Sequence, residues 1–95
     1  MASVVYPDGS IRHLKNLGWL LRHWKEVDHF AVFDAREEGY DADALLIAHL
    51  TDGRKFKILF ADKSVLWNWL KRPVFLGLNV YWFGNDCVIS KEKQF

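Results

Sequence analysis

One cysteine, two prolines and near-balanced charge exclude a good deal at once. Cys87 has no partner for an intramolecular disulfide, which fits a reducing compartment. It also lacks the second thiol that a zinc site built on paired cysteines requires. The histidines His13, His23, His29 and His49 do not have the spacing of a helix-borne zinc pair, so neither metal nor cofactor is expected. No stretch approaches the ~18 uninterrupted apolar residues of a membrane span, and no membrane association is expected. The opening MASVVYPDGS has neither a basic segment nor a long apolar run, so it reads as no secretory signal and a cytoplasmic location is expected. A formal net charge of +1 exerts no global pull toward nucleic acid or anionic lipid. A glycine-rich phosphate loop, a nucleophile triad and a spaced carboxylate pair are all missing, and no catalytic residue is assigned.

What the chain does have is rings. Aromatic residues make up 16% of its 95 positions, and six of them crowd into residues 67–83, WNWLKRPVFLGLNVYWF. The length bounds a single domain, 1–95, because two halves would each be too small for an independent core. The polar tail 91–95, KEKQF, is expected to fray.

The periodicities alternate between two and 3.6. VVYPDGSIR carries Pro-Asp-Gly between β-formers, which predicts strands near 2–6 and 10–14 joined by a bulged hairpin. The competing reading has Ser10 capping a helix that starts at Ile11. NLGWLLRHWKE predicts a helix over 16–26 with Asn16 as cap; Leu17, Leu20, Leu21 and Trp24 face the core, and Gly18 lets a strand approach. DHFAVFDA reads as a strand. ALLIAHL and KFKILFA flank Asp52-Gly53, a strong hairpin signal. Phe56, Ile58 and Phe60 alternate with Lys55, Lys57 and Leu59, giving one buried and one wet face. DKSVLWNWLKR predicts a second helix capped by Asp62 and ended by Pro73. VFLGLNVYWF reads as a long strand bulged at Gly77, followed by a GND turn and a final strand, CVIS. The expected fold is α+β: a mainly antiparallel sheet of five to seven strands with two helices packed on one face, in the order ββ-α-βββ-α-ββ.

Helices on one face leave the other to be explained. There Tyr81 and Phe83 are expected, with Lys55 and Lys57 on the wet side of their own strand. A loop or the first hairpin can cover this face, a second copy can pair with it, or it can stand open as a stacking platform for single-stranded nucleic acid. Trp19 is the second anomaly. The helical wheel sets it among Lys15, Arg22, His23 and Glu26, either packed under a cation, covered by the N-terminal hairpin, or serving as a contact anchor.

Residues 28–43 hold six acids against Arg36 alone. DAREEG starts like a calcium loop, but Arg36 stands at the third position and Leu45 at the twelfth, where oxygen ligands belong. Glu37, Glu38, Asp41 and Asp43 therefore read as a solvated loop, or as one that attracts a basic partner. No family is assigned. The helix–strand order of 16–71 is similar to that of the double-stranded-RNA-binding domain, yet the basic run opening that domain's last helix would fall on DKSVLWN, with one lysine and an aspartate. The residues thus point to a non-catalytic interaction domain that self-associates as a homodimer or other homo-oligomer, or takes another protein partner. A single-stranded nucleic-acid binder is the less favoured alternative, and a small-ligand-binding domain or enzyme the third.

Overall fold

A computed structural model describes residues 2–75, 78–83 and 86–90. It contains seven strands, β1 (Ala2–Val5), β2 (Ile11–Leu14), β3 (Val27–Phe33), β4 (Ala44–Leu50), β5 (Lys55–Phe60), β6 (Asn79–Phe83) and β7 (Asp86–Ser90), and two α-helices, α1 (Gly18–Arg22) and α2 (Lys63–Leu70). Two single 3₁₀ turns, Trp24–Glu26 and Pro73–Phe75, follow the helices. The strands form one sheet in the order β2-β1-β5-β4-β3-β7-β6, with every neighbouring pair antiparallel. The α+β class and the antiparallel sheet agree with the residue pattern. The Gly77 bulge, most of the GND turn and the 91–95 tail lie outside the described residues.

Both Asp-Gly hairpins use one device. In the first, the Tyr6 N–H donates to Ser10 O (2.8 Å), Gly9 takes φ +89°, and Asp8 Oδ1 accepts the Ser10 N–H (2.9 Å). In the second, the Leu50 N–H donates to Arg54 O (2.8 Å), Gly53 takes φ +92°, and Asp52 Oδ1 accepts the Arg54 N–H (3.0 Å). Glycine supplies the left-handed backbone, and the aspartate side chain locks the turn two residues on. This settles residues 11–14 as strand, not helix.

The core fills one face of the sheet. Register places Ala2 and Ala44 on either side of Phe60, and Ala48 between Phe30 and Phe56. Large rings over small neighbours leave slots into which the helices lower Trp19, Leu20, Leu66 and Trp69, all in the same buried cluster. The rings then meet edge to face: Trp69 on Phe60 at 5.0 Å, Trp24 on Phe75 at 5.3 Å, and Trp19 on Phe56 at 5.0 Å. One small interior thus holds more aromatic surface than the sequence suggested.

The helices depart from expectation in length and phase. The helix predicted over 16–26 is five residues of α-helix and a 3₁₀ turn, separated by His23 at φ −98°, ψ 5°. An eleven-residue wheel therefore does not apply, and Leu21, expected in the core, is 46% exposed. The cap position of α1 falls on Leu17, which has no capping side chain, and not on Asn16; Asn16 stands one residue earlier, its Oδ1 accepting the Gly18 N–H (2.8 Å). Gly18 makes room for that side chain and not for a strand: a Cβ there would stand 2.9 Å from Asn16 Oδ1. Asp62 caps α2 as expected, accepting the Ser64 N–H (2.9 Å). The strand predicted from 74 begins only at Asn79.

Candidate functional site

Trp19 is not a surface anchor. It is 4% exposed, and its indole N–H donates to the Tyr6 hydroxyl (3.0 Å). The ring lies edge-on to Tyr6 and Phe56 and against the His23 imidazole (4.6 Å). The short helix rotates its largest apolar surface into the slot over Phe56, where burial outweighs the wheel's prediction. The residues expected around Trp19 stay near it: Lys15 and Arg22 line one cavity with it, and His23 keeps its ring against the indole while its Nδ1 lies 2.9 Å from Glu26 Oε2. Asp28 pairs with the His29 ring (2.9 Å).

The second sheet face is partly roofed, by the acidic loop. Asp34 Oδ1 accepts the Arg36 N–H (3.0 Å), Gly39 takes φ +88°, and the Tyr40 N–H returns to Ala35 O (3.0 Å). This single capped turn buries Ala35 and Ala42 with Leu45, against Phe33, Ile47 and Leu59. So DAREEG is a cap and a stop, and the loop is structural as well as solvated. Glu37, Glu38 and Asp41 face solvent. Asp43 is partly exposed and bonded on both oxygens: Oδ1 accepts from Arg36 Nη1 (2.8 Å) and Oδ2 from the Lys63 N–H (2.8 Å), tying the loop to the start of α2.

Those bonds, the Lys63 N–H first and Arg36 second, hold the Asp43 carboxyl below the ordinary carboxylate range. A lowered folded-state pKa contributes stability above the unfolded value and loses it as pH falls through the folded value. Asp43→Asn should therefore be less stable than the parent at pH 7, and the gap should close below about pH 4. Urea unfolding of both chains at the two pH values measures this; an equal gap at both would show that the ionised carboxylate is not what matters.

The expected lysine and aromatic residues of this face do not meet. Lys55 is exposed, and Lys57 donates to the Tyr40 hydroxyl (3.1 Å) with its ammonium over that ring. Tyr81 is 43% exposed on β6, four strands away in the sheet, about 19 Å at the usual strand spacing. The Phe83 side chain lies outside the described residues. Between them His29 and His49 stack at 4.3 Å. Burial first, then His29 and Lys55, lowers the His49 pKa.

The residue pattern missed the setting of β6. Among the described residues it is an edge strand, and Asn-Val-Tyr-Trp-Phe has no charge and no proline to discourage pairing. The other edge, β2, is four residues long and carries Arg12 and His13. Among the described residues five large hydrophobic side chains are exposed, and three gather at β6: Val80 (46%), Tyr81 (43%) and, from α2, Trp67 (41%). Val80 and Trp67 rim a mainly apolar cavity of about 310 Å³ lined also by Leu70, Lys71, Phe75 and Ile89. Cys87 also lines it, 2% exposed, its thiol pKa raised by burial and then by Asp86. Edge status was unreadable locally, since it follows from β7 inserting between β3 and β6.

Among the described residues no three His, Cys, Asp or Glu side chains stand close enough to hold a metal ion, and no helix is long and apolar enough to cross a membrane. Compared with protein-family models, curated proteins and solved structures, the chain matches none, so a functional reading rests on its own geometry.

Proposed function

We propose that the protein is a non-catalytic interaction domain that self-associates through the β6 edge. Two copies related by a two-fold axis place β6 antiparallel to its own copy and continue the sheet across the dimer. The observation that carries this reading is the clustering of Trp67, Val80 and Tyr81 around an uncharged strand edge. Val80 and Trp67 bring apolar surface to the helix side of the seam, and Tyr81 to the other side. Backbone pairing alone buries little of the ~800 Å² per partner that a stable interface needs, and these side chains add exposed apolar surface to it.

A nucleic-acid platform has less support, because the lysines of the open face stand four strands from Tyr81 and Lys57 is engaged by Tyr40. Light scattering on a sizing column at micromolar concentration tests the proposal. The parent should run as a dimer, and Val80→Lys/Tyr81→Lys as a monomer with an unchanged circular dichroism spectrum. A monomeric parent, or a dimeric double variant, would overturn it. Quenching of tryptophan fluorescence by mixed-sequence oligonucleotides, lost at high salt, would instead favour the nucleic-acid alternative.

A further inference from the structure

At the opposite edge of the sheet, where β2 meets α1, Arg12, His13, Lys15, Asn16, Trp19 and Arg22 line a cavity of about 260 Å³. We propose that this cavity binds a phosphate monoester. Two arginines and a lysine line it, and among the described residues no carboxylate lies within 4.0 Å of any of the three cationic groups. Arg36 and Arg54, by contrast, are each matched by an aspartate at 2.8 and 2.7 Å. Unmatched like charges repel one another, and an anion between them removes that cost.

The positions of the cations are fixed from two sides. Arg12 pairs across the sheet with Val4, a fully buried residue on the helix-covered face, which sets Arg12 on the side of β2 nearest α1. Arg22 ends a helix whose rotation is locked by buried Trp19 and its bond to Tyr6. Lys15 lies on the short turn between them. Because the indole N–H is already given to Tyr6, Trp19 contributes wall and no donor. The His13 Nδ1 is likewise engaged by Ser3 Oγ (3.1 Å), leaving Nε2 as its remaining polar atom.

The ligand class follows from charge and shape. Guanidinium groups match tetrahedral oxyanions with paired N–H donors, and a dianion draws on three cations where a carboxylate uses one. Placement around a single cavity suits a terminal phosphate; a phosphodiester chain needs cations spaced along a groove.

The test is an amide NMR titration of the full chain with phenyl phosphate, and in parallel with inorganic phosphate and a thymidine oligonucleotide. Phenyl phosphate should shift the amides of residues 12–16 and 19–22 saturably. Arg12→Gln/Arg22→Gln should weaken it by about tenfold or more. Lys55→Gln/Lys63→Gln, which removes the same charge elsewhere, should leave the affinity unchanged, as should Val80→Lys/Tyr81→Lys at the far edge. All four residues of the two glutamine pairs are exposed, and thermal melts confirm that each variant folds. An unsaturable response, equal weakening by both glutamine pairs, or saturation by the oligonucleotide and not by phenyl phosphate would each overturn the site. Inorganic phosphate binding as tightly as phenyl phosphate would support it, with recognition resting on the phosphoryl group alone.

Discussion

Trp19→Ala is expected to lower the unfolding free energy by about 3–5 kcal/mol, the range for deleting a large buried aromatic side chain. Trp19 is the keystone of a ring cluster with Tyr6, Phe56 and His23, and it is the side chain that fixes the five-residue α1 against the sheet. Its loss opens a cavity next to Phe56 and leaves the Tyr6 hydroxyl without the indole donor. Against a total stability of roughly 5–15 kcal/mol for a domain, such a loss brings the chain close to its folding threshold. Trp19→Phe separates the parts, since it keeps a ring and forfeits the hydrogen bond, which is worth about 1 kcal/mol. Equilibrium urea denaturation reads both. A change within about 0.5 kcal/mol for the alanine variant, typical of surface sites, would return Trp19 to the solvent side of its helix.

Phe60→Ala should cost as much or more, again about 3–5 kcal/mol with any unrelaxed cavity at the upper end. Phe60 is fully buried, and register sets it between Ala2 on β1 and Ala44 on β4. Truncation would leave three alanines in a row beneath α2, with Trp69 standing over empty space at the end of a lost edge-to-face contact of 5.0 Å. Small flanking residues cannot collapse inward, so little of the void would close. A thermal melt serves here: Phe60→Ala should unfold well below the parent, and Phe60→Leu, which refills part of the volume, should recover much of the difference. Equal melts for parent and alanine variant would mean the ring does not fill that space.

How much of this could be read in advance depended on how local the determinant was. Asp8-Gly9 and Asp52-Gly53 set their hairpins within four residues, and the period-two pattern of Phe56, Ile58 and Phe60 identified the buried face of β5 from its own residues. The cap at Asp62 was legible for the same reason. Trp19 was misplaced because a helix of one and a half turns takes its rotation from the slot above Phe56 and not from its own amphipathic pattern. Asp43 stood out only as one of the acids of its loop; its structural tie gave no signal, since its partners are Arg36 seven residues away and Lys63 twenty residues away. The exposed side of β6 depended on strand order, and strand order on pairings between residues 29–32 and 87–90. The cation cluster at β2 was half visible: Lys15 and Arg22 stood out around Trp19, while Arg12 joins them only through the register of the first hairpin.

The strand order also describes a history. Its middle, β5-β4-β3, is one uninterrupted meander, and the two flanking hairpins attach to it from outside, β1-β2 on one border and β7-β6 on the other. Short loops close at little entropic cost, whereas docking β1 onto β5 must span more than fifty residues of intervening chain. Assembly from the centre outward is thus the sequence of events that topology favours, and the two borders, completed last, are where the molecule has surface left over for others.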